Sequence, residues 1–147
     1  VSAMATARSE VDWEGDSVVQ LRVPAQVEQL AVIRAAVATV AASADLDIDA
    51  IADARLAADE ACTELTTIAA ERTTLDCRFT GEAGRLWLRC STTARAEDVP
   101  FEQGLSWYVL RSIVTRLTTG HRDLADAPGC RRVWIEFCIE NETHRAG

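Results

Sequence analysis

Two carboxylates, Glu60 and Glu64, stand four residues apart in ARLAADEACTELTTIAAERT, residues 54 to 73. On a helix, positions i and i+4 share a face, where like charges repel by about 0.2–0.5 kcal/mol, so helix propensity gives no reason for the pair. Carboxylates so placed serve acid–base chemistry or hold a divalent cation through oxygen. The competing reading is a solvated stripe, since charged side chains mostly face water. The other groups that could do chemistry are five cysteines, at 62, 77, 90, 130 and 138, and two histidines, at 121 and 144. The odd cysteine count, with no CxxC pair and no histidine at ligand spacing, argues against a disulfide framework and against a zinc site. Reduced thiols in a cytoplasm fit best. Cys62, Cys77, Cys90 and Cys138 fall in helix or strand patterns and read as small core residues. Cys130, beside Gly129 in a turn, is the thiol whose reactivity is worth testing.

The elements that must position these groups follow from periodicity. SVVQLRV, 17 to 23, alternates as a half-buried strand, and Pro24 ends it. Val27, Leu30, Val32, Ile33, Val37 and Val40 recur at helical spacing and predict a first helix from Ala25 to about Ala44. DLDID, 45 to 49, supplies Asp caps for a second helix whose seam is Ile51, Ala54, Ala58, Ala61, Leu65 and Ile68. Glu60 and Glu64 lie at the flank of that seam. TLDCRFT, 74 to 80, and RLWLRCST, 85 to 92, predict a hairpin with Gly81 and Gly84 at its tip. A polar loop is expected over 93 to 103, a third helix over 104 to 120, a turn after it, and a last strand over 130 to 140. Trp107 reads as core rather than as a stacking surface. Residues 1 to 16 read as a flexible tail, 17 to 140 as one domain, and 141 to 147 as a second tail.

Composition narrows the function classes. A 147-residue chain with 48% hydrophobic and 26% charged residues is the size and make-up of one globular domain. No eighteen-residue apolar run is present to cross a bilayer, and the N-terminus does not have the form of a secretory signal. The expectation is a cytoplasmic protein without a membrane partner. Its formal charge is −8, with 15 basic residues, all Arg, against 23 acidic ones. Such a balance disfavours direct nucleic-acid binding, which needs a basic surface, and suits a basic protein partner.

The order strand, helix, ARLAADEACTEL helix, hairpin, then a loop into GLSWYVLRSI resembles the anti-sigma factor branch of the GHKL ATPase superfamily, the RsbW-like serine-protein kinases. Within it the chain most resembles actinobacterial stress-response anti-sigma factors, over roughly residues 17 to 140. The resemblance implies an α/β two-layer sandwich of the Bergerat type: a mostly antiparallel mixed sheet with three helices on one face. Active kinases of this family carry a Glu that aids deprotonation of the attacking hydroxyl and, four residues on, an Asn that holds magnesium. Glu60 matches the first position, as a general base or its relic. Glu64 occupies the second, as the candidate metal ligand. The family's DxGxG segment, which anchors adenine, corresponds here to RCSTTARAED, with Cys90 or Ser91 near the Asp position and Thr92 and Ala94 near the glycines. Gly104 is the glycine that survives before the third helix and is the candidate nucleotide contact. The resemblance thus implies a degenerate nucleotide site in a homodimer that sequesters an alternative sigma factor of the stress or sporulation type. Release by a STAS-type anti-anti-sigma factor is implied too. It places sigma-factor contacts at Glu28 and Arg34 in EQLAVIRAAV. The alternative is an active serine/threonine-protein kinase that uses ATP and Mg2+ to phosphorylate that antagonist. A domain that has drifted to bind some other protein is the third reading.

Overall fold

The alternating segments form a five-stranded sheet in the order β1-β2-β3-β5-β4. The computed structural model describes residues 9–15, 17–98 and 104–145. Strand β1 (Val19–Pro24) leads through a 3-10 turn (Val27–Gln29) into α1 (Leu30–Ser43) and α2 (Ile48–Ile68). The hairpin β2 (Thr74–Glu82) and β3 (Arg85–Arg95) follows, then α3 (Leu105–Ile113), β4 (Arg116–Asp123), β5 (Cys130–Glu140) and a short α4 (Glu142–Arg145). Every strand pair is antiparallel. The expected mixed sheet is therefore corrected to a purely antiparallel one among the described residues, with β5 inserted between β3 and β4.

The largest departure lies in the segment expected as one helix over 104 to 120. The helix stops at Ile113, Val114 turns extended (φ −99°, ψ 150°), and Arg116 to Asp123 pairs with β5. Ile113, Val114 and Thr115 are consecutive β-branched residues, stiff at χ1 and suited to a pleated strand. Thr115 fixes the switch by donating both its N–H and its hydroxyl to the Cys138 carbonyl at 2.9 Å. Likewise β3 runs on to Arg95, so residues 93–95 of the expected loop are paired strand.

Register separates the two sheet faces. On the inner face Leu75, Cys77, Phe79, Leu86, Leu88, Cys90, Ile135, Phe137 and Ile139 are all 0% exposed beneath α1 and α2. The helix α2 approaches closely because Ala54, Ala57, Ala58 and Ala61 present only methyl groups, all of them fully buried. Asp47 caps it, its side chain accepting from the Ala50 N–H at 2.8 Å. Leu110 is the buried residue of α3, which packs principally on α2. The hairpin turn is two residues, Ala83 and Gly84, both at positive φ (52° and 81°), as a type I′ turn requires. Residues 9–15, part of the segment expected as a tail, lie on the outer face of the sheet with Trp13 buried.

Candidate functional site

The helix period that placed Glu60 and Glu64 beside the seam of α2 holds: both are half-buried, next to buried Ala61 and Leu65. Among the described residues neither carboxylate makes a hydrogen bond or an ion pair. One residue earlier, Asp59 accepts from Arg34 of α1, with Arg34 Nη1 at 2.9 and 3.1 Å from its two oxygens. Arg34 thus ties α1 to α2 and is itself half exposed. Glu28 is exposed in the 3-10 turn ahead of α1. Gly104, exposed, precedes α3 with φ +96°, a conformation that favours glycine, and a Cβ built there would meet nothing within 4 Å. The structure brings Arg34 to the helix of the glutamates. No hydrogen bond or ion pair links Glu28 or Gly104 to them among the described residues.

A magnesium nucleotide does not fit these residues. Ser91, Thr92 and Ala94, set against the family's adenine-anchoring loop, are interior residues of β3: Ser91 is paired on both sides, whereas Thr92 and Ala94 pair with Val133 and Arg131 of β5, Ala94 also bridging Ala69. Thr92 and Ala94 point into the core at 0% exposure, so at these two positions the backbone is held within the sheet rather than open to a phosphate. Glu60 and Glu64 place two carboxylates where the resemblance expects a carboxylate and an amide, and among the described residues neither has a basic partner. Asp59, the adjoining acid, is already engaged by Arg34.

The outer face of the sheet carries the more developed polar arrangement, and the sequence reading missed it. Here β2, β3, β4 and β5 bring Arg78, Arg89, Arg122 and Arg132 round a cavity of about 240 Å³, lined also by Trp13, Glu14, Asp76, Ser91 and Trp134. Two buried acids hold the arginines. Asp76, 3% exposed, accepts from Gln20 and from Arg22 at 3.1 Å and lies 3.6 Å from Arg132. Glu136, also 3% exposed, accepts from Trp13 Nε1 at 2.7 Å and from Ser9 at 2.9 Å, and lies 3.6 Å from Arg89. The Arg89 guanidinium sits 4.5 Å over the Trp134 ring. That ring lies across Gly120, where a Cβ would come within 2.3 Å of it. Burial lowers the Arg89 and Arg132 pKa values against the attraction of Glu136 and Asp76. The signal was present as arginines on one parity of alternating strands, but which parity faces outward depends on register.

The fold is a two-layer α/β domain that carries an acidic pair on the flank of α2. No protein-family model matches the chain. Its sequence is RsbW-like: over 107 residues it is 35% identical to the anti-sigma-F factor RsbW of Mycobacterium tuberculosis, in strain CDC 1551 / Oshkosh and equally in strain H37Rv. The matched stretch covers 73% of this chain and 64% of the relative, so the likeness spans a little under two thirds of that protein's length.

Proposed function

We propose that this protein is an anti-sigma factor that binds and sequesters an alternative sigma factor, so that the sigma factor cannot engage RNA polymerase. The likeness to anti-sigma-F factor RsbW over 107 residues carries this reading. Charge supports it, since a chain of formal charge −8 suits a basic partner better than a nucleic acid. The proposed sigma-binding surface is the start of α1. There Glu28 stands exposed beside Val27, 66% exposed, and Val32, 47% exposed, so an acidic group sits within an apolar patch. Arg34, anchored by Asp59, offers a second polar contact on the same helix. Sequestration by a homodimer through the neighbouring edge strand β1, release by a STAS-type anti-anti-sigma factor, a role in stress response and a cytoplasmic location complete the proposal. A Bergerat-type ancestry accounts for Glu60 and Glu64 as relics of a kinase helix. Co-purification with the sigma factors of its own cell tests the reading: one should co-elute and be lost in Glu28→Arg. Absence of any such complex overturns it. Titration calorimetry with Mg-ATP should give no heat, whereas saturable binding abolished by Glu60→Ala would restore the kinase.

A further inference from the structure

The cysteine spacing gave no sign of a metal site, yet folding brings three thiols from three elements into one cluster. Cys62 of α2, Cys77 of β2 and Cys90 of β3 are each 0% exposed, and their sulfurs all lie within 4.8 Å of one another. Cys62 Sγ is 3.5 Å and Cys77 Sγ 3.8 Å from Cys90 Sγ. Cys77 and Cys90 are directly opposite in the β2–β3 ladder, and Cys62 descends on them from the helix above.

We propose that Cys62, Cys77 and Cys90 form a three-thiolate site that binds one copper(I) ion between α2 and the sheet. The argument is geometric. With edges of 3.5 and 3.8 Å and a third no longer than 4.8 Å, a point equidistant from the three sulfurs lies about 2.1–2.4 Å from each, against a typical metal–thiolate bond of about 2.3 Å. The sulfurs need not move to share an ion. Ligand chemistry then selects the ion, since thiolates favour soft cations. Structural zinc takes four ligands, and among the described residues no histidine, cysteine or carboxylate joins the trio as a fourth. A three-coordinate, dry, all-sulfur site suits a soft monovalent ion.

Protonation follows the same sharing. Hydrogen bonding with Cys62 and then Cys90 holds the Cys77 thiol well below its ordinary value, while the sharing pushes Cys62 and Cys90 well above it, with burial adding to both. Capture of the ion requires the thiols to give up their protons. Because all three sulfurs are enclosed, entry requires α2 to lift transiently from the sheet, so binding is slow. Once bound, the ion pins α2, and with it Asp59 and its Arg34 partner.

The test uses the full reduced chain under anaerobic conditions, titrated with copper(I) held by a coloured chelator. One equivalent should leave the chelator, with thiolate-to-copper absorption appearing and the melting temperature rising. Cys130→Ala and Cys138→Ala should leave this unchanged, and Cys77→Ala should abolish it. X-ray absorption on the unaltered protein should find three sulfur neighbours at copper, a measurement that stands even if Cys77→Ala fails to fold. Failure to withdraw copper, binding retained in Cys77→Ala or lost in Cys130→Ala, or copper surrounded by nitrogen or oxygen overturns the proposal.

Discussion

The two faces of one sheet solve the same burial problem in opposite ways. Beneath α1 and α2 the inner face is apolar and fully enclosed, from Leu75 through Leu88 to Phe137, and hydrophobic area with close packing stabilises it. The outer face buries Asp76 and Glu136, acids that would be costly in isolation, and satisfies them with arginines, a tryptophan N–H and a serine hydroxyl. An apolar face tolerates many equivalent solutions, whereas a charged one fails if a single partner is missing. The inner face therefore serves the fold, and the outer one holds a specific arrangement that includes the N-terminal segment.

The largest loss expected is on the inner face. Phe137→Ala empties the centre of the core and should cost roughly 3–5 kcal/mol in denaturant unfolding. On the outer face Glu136→Ala should cost about 3 kcal/mol, since it strands the Arg89 charge and removes the shorter of the two acceptors of the Trp13 N–H. It should also release residues 9–15, seen as new protease sensitivity there and a red-shifted Trp13 fluorescence. If Glu136→Ala proves neutral while the N-terminal segment stays docked, the contrast between the faces fails. At the turn joining β2 to β3, Ala83→Gly should gain about 1 kcal/mol, because Ala83 holds a positive φ that an L side chain disfavours.

The smallest effect is a slope with pH, and it comes from an outer-parity position that behaves like the core. Burial pushes the Cys138 thiol from an ordinary 9.0 up to about 11. Between those values the unfolded chain has released a proton that the fold retains, so stability should fall as pH rises from 9 towards 11. Cys138→Ala should flatten that slope in unfolding curves measured across the range. An unchanged slope would show that the buried Cys138 thiol does not set it.

Much of the fold was legible in the sequence, because alternation and helical spacing are local. The Asp cap and the Ala seam of α2, the β2–β3 hairpin and the last strand all lie where their patterns put them. The boundary at Ile113 was not legible, since Leu117 continues the helical spacing of Leu110 and Ile113 as readily as it fits a strand. Pairing with β5 decided between the two. Of the candidate residues, Glu60 and Glu64 sit on the flank their spacing dictated, but the pairing of Arg34 with Asp59 needed two helices in contact.

By itself, then, the sequence determined the period of each segment, the negative balance of charge and the 35% identity over 107 residues to anti-sigma-F factor RsbW. These depend on residue type and near neighbours. Only the tertiary structure decided which strand parity turns outward, that residues 116 to 123 join the sheet, and that cysteines 62, 77 and 90 meet. Each of those is fixed by register and packing between segments far apart in the chain, where local spacing carries no information.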